Sequence, residues 1–218
     1  MGPMPMRTEA SQLLMLFNWM SPTFPIGGFA YSHGLEQAIA DGLATPAELH
    51  NWVSDLLQSG SAWNDAVFFS QCWHDDASHL NELALALCGS AERYQETTQL
   101  GRNFTIAANV WLGTTPTEGE IAYPVAAGCI CAKSGIEQRQ ALLAFLQGFC
   151  AAQISVAVRL IPLGQTKGLG VLRDLSPIIV EVATRATQST LERLGSNCFF
   201  AEIAAMKHET LEPRVFRT

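Results

Sequence analysis

Apolar residues recur with helical spacing along most of the chain, most clearly between Thr45 and Gly60. Thr45 can accept a hydrogen bond at a helix N-cap, Pro46 suits the first helical position, and Glu48 follows three residues after the cap. These signals predict a helix that begins at Pro46 and buries one apolar stripe. The stripe consists of Leu49, Trp52, Val53, Leu56 and Leu57.

Two other capping patterns predict helices later in the chain. Ser134 with Glu137 precedes one apolar run, and Ser176 with Pro177 precedes another. Between residues 63 and 110 the apolar spacing is helical but less regular, and we expect two long helices there.

Chain breaks are expected near residues 89–90 and at residues 113–116, where glycine, serine and proline cluster. One segment does not fit a helical pattern, because apolar and small or polar residues alternate from Ile154 to Leu160. Alternation with a period of two is typical of a strand. The local pattern alone therefore predicts β structure there.

Composition indicates a soluble chain with one core and few charges. The 218 residues are 48% hydrophobic and only 15% charged, so we expect part of the apolar surface to contact another protein. The formal charge of −7 would repel a phosphate backbone, which argues against nucleic acid as a partner.

Six cysteines are scattered through the chain, which favours reduced and mostly buried thiols over a disulfide framework. No run reaches the eighteen or so uninterrupted apolar residues of a membrane span. Arg7 before the apolar residues 13–20 resembles a weak signal peptide, but one basic residue and the interruption by Asn18 argue against it. We expect a cytoplasmic protein without a membrane partner.

The ends differ from the rest of the chain. Residues 1–8 are rich in methionine and proline, and residues 207–218 are polar with Pro213 near the end. We expect a flexible N-terminus over 1–8, one domain over 9–206, and an exposed tail over 207–218 that becomes ordered on a partner.

Enzyme motifs are weak in this sequence. His74 and His79 flank Asp75 and Asp76, which suggests a metal-dependent hydrolase as an alternative function, but ligands on one helical face prefer a spacing of three or four. A solvated helix end is the simpler interpretation. One residue separates Cys129 from Cys131, in the sequence Cys129–Ile–Cys131, whereas redox and zinc pairs have two residues between the cysteines. We interpret both as packing residues.

Two other segments resemble motifs without matching them. His208–Glu209 opens like a zincin motif, but Glu212 stands where the second histidine belongs. The glycine-rich segment 164–170 places Lys167 before its second glycine, whereas a phosphate-binding loop needs Gly-Lys-Ser/Thr. We therefore expect no catalytic residue and no tightly bound cofactor.

Three polar, glycine- and proline-marked segments resemble the UreF family of urease accessory proteins. Residues 21–36 (SPTFPIGGFAYSHGLE) are similar to its N-terminal signature, and Arg159–Leu–Ile–Pro–Leu–Gly–Gln–Thr166 is similar to its central segment. Residues 203–218 resemble its closing segment, Met-Lys/Arg-His-Glu-Thr followed by Arg-x-Phe-Arg. The intervening Leu211–Glu212–Pro213 departs from that pattern.

The resemblance implies an all-α single-domain bundle, which would make residues 154–160 helical. It also implies a non-enzymatic homodimer that binds a UreD/UreH-type accessory protein and the GTPase UreG and docks on apo-urease. Nickel would pass through that complex rather than bind tightly to this chain. A helical interaction module unrelated to urease is the remaining alternative.

The resemblance also assigns partner-binding residues. In the closing segment, residues that would become ordered on the UreD-type partner are Lys207, His208, Glu209, Arg214, Phe216 and Arg217. In the N-terminal signature, residues that would shape a surface near the GTPase or the metal path are Ser21, Pro22, Pro25, Gly27, Ser32 and Glu36. The central segment contributes Arg159, Gln165 and Lys167.

Overall fold

A computed structural model describes residues 8–115 and 119–218. These residues form ten α-helices and two short 3-10 turns, and contain no strand, which confirms the all-α single-domain bundle. The predicted flexible N-terminus falls almost wholly outside the described residues. The helices are α1 Glu9–Trp19, α2 Leu35–Ala40, α3 Pro46–Ser59, α4 Ser61–Gln71, α5 Ala77–Ala86, α6 Ala91–Leu112, α7 Tyr123–Lys133, α8 Gln138–Leu160, α9 Gln165–Thr187 and α10 Phe199–His208, with 3-10 turns at Gly28–Ala30 and Leu191–Arg193.

Local capping signals fix several helix boundaries. Thr45 and Glu48 form the predicted capping box, so α3 begins at Pro46 as expected. Gly113 adopts the left-handed conformation and ends α6, which confirms the break predicted there. Ser134 does not start a helix, because it follows α7 as its C-cap, and the Glu137 side chain caps α8 instead.

Two other helix predictions are wrong. Residues 61–112 form three helices rather than two, because Asp76 accepts a hydrogen bond from the Ser78 N–H and starts α5 after a break. Pro177 lies inside α9 rather than at a helix start. Burial of Val171, Leu175 and Ile179 on one side of α9 continues through the proline and outweighs the lost backbone hydrogen bond.

Helix α8 lies at the centre of the bundle and packs against α9, α2, α4 and α7. It includes residues 154–160, so the resemblance predicted this segment correctly where local alternation did not. By length and composition alone α8 could cross a membrane, but 50% of its most apolar window is buried inside the described fold. The segment therefore serves as a core helix here.

The six cysteines are free thiols, as expected from their spacing. The expectation that most are buried is wrong, since only Cys131 and Cys150 are buried and the other four are partly exposed. Of the four, Cys72, Cys88 and Cys198 lie at helix ends or just beyond them.

Candidate functional site

Residues 207–218 return over the N-terminal part of the chain. The Arg217 N–H donates to the Ala30 carbonyl at 2.8 Å, and the Ser32 N–H donates to the Thr218 carbonyl at 2.7 Å. The Ser32 hydroxyl donates to the same carbonyl oxygen. The chain itself therefore supplies partners for the segment, although eight of its twelve residues are exposed. Its buried residues are His208, Phe216 and Thr218.

Glu36 on α2 is the main acceptor for the returning segment. Its carboxylate accepts hydrogen bonds from the Val215 N–H at 2.7 Å and the Phe216 N–H at 2.9 Å. A third bond joins it to His208 Nε2 at 3.0 Å. Burial alone would raise the pKa of Glu36, but these hydrogen bonds outweigh it and lower the pKa below its ordinary value.

His208 lies between two carboxylates and is fully buried. Its Nδ1 is 2.8 Å from Glu92 Oε2, while its Nε2 faces Glu36. The other oxygen of Glu92 accepts a bond from the Arg214 guanidinium at 2.7 Å. The end of α10 is therefore joined to α2 and α6 by charge-assisted hydrogen bonds.

A second charged layer lies deeper and involves Glu96 on α6. Glu96 accepts a bond from the Thr218 hydroxyl at 3.2 Å and contacts His33 Nδ1 at 3.1 Å. Burial would raise the pKa of Glu96, but the charge and hydrogen bond of His33 lower it overall. Asp65 pairs with Arg93 at 2.5 Å, yet burial dominates and raises the pKa of Asp65.

Arg159 adds an aromatic contact from α8. Its guanidinium carbon lies 4.4 Å from the centre of the Phe216 ring, and it donates to the Phe29 carbonyl at 3.2 Å. A cation over an aromatic face is attracted by the ring quadrupole. Arg159 therefore holds Phe216 against the N-terminal signature. Together these residues form the tail cluster, which consists of Ser32, Glu36, Glu92, Glu96, Arg159, His208, Arg214, Phe216 and Thr218.

Gly34 explains how α10 approaches so closely. Its φ is +80°, and a Cβ atom built on it would stand 3.1 Å from the Ala205 nitrogen on α10. An L side chain there would be both strained and crowded. The glycine of the N-terminal signature thus permits direct backbone contact between α2 and α10.

The front of the N-terminal signature is an exposed turn. Ser21 bonds the Thr23 hydroxyl at 2.8 Å, Pro22 and Pro25 are exposed, and Gly27 has a φ of +80° at the start of the 3-10 turn. The turn borders a cavity of about 230 Å³. Lining residues from the signature and α8 include Ser21, Pro22, Phe29, His33, Gln153 and Arg159.

The remaining predicted residues lie outside this cluster. Gln165 and Lys167 are exposed at the start of α9 and make no hydrogen bond or ion pair with the tail cluster in the described part of the chain. Lys207 forms an exposed ion pair with Asp41 at 3.5 Å. The Glu209 carboxylate accepts from the Ala91 N–H at 3.1 Å at the start of α6.

Sequence reasoning identified Glu36 but missed the two other carboxylates that receive the tail. Glu92 and Glu96 are one helical turn apart and share a stripe with Leu100, and all three are buried. A signal was available, because two acids on the apolar stripe of an amphipathic helix require partners. Their partners in the closing segment lie more than 100 residues away, so the spacing alone could not identify them.

Two residues of the hydrolase alternative make structural contacts, whereas Asp75 and His79 are exposed. The Asp76 carboxylate caps α5, and His74 Nε2 faces the amide of Gln138 at 3.4 Å. Among residues 8–115 and 119–218, no group of three or more His, Cys, Asp or Glu side chains is arranged to hold a metal ion.

Comparison with known proteins supports the family resemblance of the sequence. The family model for UreF matches residues 43–176, which is more than half of the chain. The chain belongs to the UreF family. Urease accessory protein UreF of Rhizobium etli is 45% identical over 222 residues, covering 96% of this chain and 98% of the relative. The protein of that name from Brucella ovis is 43% identical over 218 residues, covering 94% of each.

Proposed function

We propose that this UreF-family chain takes part in urease maturation as a non-catalytic scaffold. The observation that carries the proposal is the convergence of three distant segments in one site: the N-terminal signature with Glu36, the central segment with Arg159, and the closing segment with His208 and Phe216. Such a site orders a surface. In this proposal the site supplies no reacting group.

The surface offered to a UreD/UreH-type partner is the outer side of α10 and the exposed part of the tail. Buried residues already hold this segment in one conformation. The segment therefore loses little conformational entropy when a partner binds it. Large exposed apolar side chains supply anchors of the kind found in the centre of interfaces. Those on α10 are Phe199, Phe200, Ile203 and Met206, of which Phe200 is 88% exposed.

This arrangement divides the tail residues into two roles. His208 and Phe216 face inward and support the surface, whereas Lys207, Glu209 and Arg217 are exposed and available to a partner. In this proposal Phe216 is not an anchor in the partner. It keeps α10 and the tail in position.

The remaining partner proposals concern UreG, apo-urease and a second copy of the chain. Exposed apolar residues on α1, among them Phe17 at 66% exposure, support a further interface such as a homodimer.

Nickel is treated as cargo that passes through the complex. The cavity beside the N-terminal turn supports such a path, because oxygen and nitrogen atoms of Glu96, Asp65 and His33 line it. Weak and multiple contacts suit transit. We further propose that the complex assembles in the cytoplasm.

A cell that produces urease tests the proposal directly. Removing this chain should leave urease polypeptide at its normal level while urease activity and the nickel content of urease fall together. Restoring the chain should restore both. Fully active, nickel-loaded urease in the cell without the chain would favour the interaction module unrelated to urease.

A substitution on α10 tests the proposed partner surface. Phe200→Asp should abolish co-purification with the UreD/UreH-type partner, because a charge would replace an apolar anchor without disturbing the core. Val110→Asp on α6 is the matched control, since Val110 is 80% exposed and lies on another helix. Equal partner recovery with both variants would contradict the assignment of this surface.

A further inference from the structure

Two thiols outside the tail cluster lie where α4 meets α7. Cys72 is the C-cap residue that directly follows α4, and Cys129 lies in α7. Both are partly exposed free thiols. A small reagent can therefore reach this pair more readily than it can reach the buried Cys131 on the same helix.

Helix packing places the Cys72 sulfur against the backbone of α7 next to Cys129. Cys72 Sγ is 3.6 Å from the carbonyl oxygen of Val125. In an α-helix that oxygen accepts the N–H of the residue four positions later, which is Cys129. The Cys72 sulfur therefore lies beside the backbone of Cys129, and it also contacts the Phe68 carbonyl oxygen at 3.3 Å.

Gly128 makes room for this contact. A Cβ atom at Gly128 would stand 2.8 Å from Cys72 Sγ and 2.6 Å from the Phe69 carbonyl oxygen. Only a residue without a side chain lets α4 and α7 approach so closely. The thiol pair is therefore held by the packing of two helices.

We propose that Cys72 and Cys129 form a reversible intramolecular disulfide when the protein meets a low-molecular-weight disulfide such as glutathione disulfide. The Cys129 thiolate attacks one sulfur of the reagent, the reagent's S–S bond breaks, and one thiolate leaves. Cys72 then loses its proton to solvent and attacks Cys129 Sγ, which expels the second thiolate. Two protein thiols are oxidised, and the reagent is reduced to two thiols.

The order of attack follows from the environment of each sulfur. The hydrogen bond from Cys72 lowers the pKa of Cys129 despite its partial burial, so Cys129 is the more readily formed thiolate. The same hydrogen bond, followed by burial, raises the pKa of Cys72. Cys129 is thus the attacking thiol and Cys72 the resolving thiol.

The disulfide would enclose α5 and α6 in one covalent loop. Helix α6 carries Glu92 and Glu96, which receive the tail. Oxidation would therefore restrict the movement of α6 relative to α4 and α7, and the tail cluster depends on α6. In a reducing compartment the pair would stay as thiols until the ratio of oxidant to reductant rises.

The test uses the full chain, incubated with glutathione disulfide and mapped by mass spectrometry without reduction. We expect one link between Cys72 and Cys129, loss of two of the six free thiols, and a melting temperature higher by about 5 to 10 °C. Dithiothreitol should reverse all three changes.

Three variants distinguish the mechanism from non-specific oxidation. Cys129→Ser should form no link, and Cys72→Ser should retain one glutathione on Cys129 because the resolving thiol is missing. Cys198→Ser removes another partly exposed thiol and should form the link as wild type does. Survival of all six thiols in wild type, or a dominant link to another cysteine, would overturn the proposal.

Discussion

At the residue scale, the Glu36 carboxylate organises the end of the chain by accepting three hydrogen bonds. Two come from consecutive backbone N–H groups and one from His208. A buried carboxylate loses hydration and recovers that loss only while such donors stay in place. Removing its charge should therefore loosen the tail before it affects the rest of the bundle.

We predict that Glu36→Gln lowers the free energy of unfolding by about 1–3 kcal/mol near neutral pH, because an amide accepts less strongly than a carboxylate. The pKa of Glu36 is lowered in the fold, so its contribution is present above its ordinary value of 4.5 and is lost as pH falls through the folded value. The difference between wild type and variant should shrink as pH falls from about 6 to about 3. Urea unfolding at several pH values measures it.

The matched control is Glu181→Gln, because Glu181 forms an exposed pair with Arg185 on α9. That change should alter stability by less than about 0.5 kcal/mol. The raised pKa of Asp65 acts in the opposite direction, but it is common to both proteins and cancels in the difference. A pH-independent gap between wild type and Glu36→Gln would contradict the assigned role of the charge.

The sequence identified some residues of the tail cluster but not their partners. Ser32, Glu36 and His208 were assigned to partner proteins, and in the structure all three bond within the chain. The resemblance marks these positions without saying what they contact. Whether the outward residues also bind a partner stays a prediction.

At the element scale, signals within one turn of a helix predicted boundaries well. The Thr45 and Glu48 capping box and the Gly113 stop are local, so they need no tertiary information. Pro177 misled the prediction because its cost is local while its compensation comes from packing against other helices. The break between α4 and α5 was missed because a short cap at Asp76 produces little periodicity.

Two glycines in helices give a paired prediction about packing. Gly101 lies on α6 where a Cβ would stand 2.0 Å from the Ile121 carbonyl oxygen, whereas Gly170 on α9 has nothing within 4 Å. Gly101→Ala should destabilise the fold by more than about 2 kcal/mol, because backbone must move. Gly170→Ala should stabilise it by about 0.5–1 kcal/mol through helix propensity.

Thermal or urea unfolding of the two variants provides the comparison, with helical content checked by circular dichroism. The same substitution in two helices separates crowding from propensity. Similar stabilities for both variants would show that α6 and the segment before α7 can separate at little cost, contrary to the close approach at Ile121.

At the scale of the whole molecule, fold class was predictable and the convergence of segments was not. Periodicity and the family resemblance together indicated an all-α bundle. The contact between residue 36 and residue 208 depends on the path of every helix between them, and no local pattern encodes it. The acidic residues on the apolar stripe of α6 were the one sign in the sequence that distant segments meet there.

Removal of residues 207–218 tests how far the bundle depends on the tail. The core lies mainly among α3, α4 and α6–α9, and from the removed segment it includes only Phe216. We predict retained helical content and one cooperative transition at lower denaturant, because Glu92 and Glu96 lose donors. Partner binding should be lost. Circular dichroism and co-purification measure these outcomes.

Lys207→Ala is the control for that truncation, since its ion pair with Asp41 is exposed and the tail should remain packed. Its free energy of unfolding should stay within about 0.5 kcal/mol of the wild-type value. A truncated chain without a cooperative transition would mean that the tail is required for folding itself.

The tail cluster also has a consequence for timing during synthesis. Residues 207–218 leave the ribosome after α2 and α6, so Glu36 and Glu92 must wait as hydrated carboxylates until their donors emerge. Until then the outer side of α10 has no fixed support. If α10 carries the proposed partner surface, a nascent chain would not present that surface in its final form before residues 207–218 have packed.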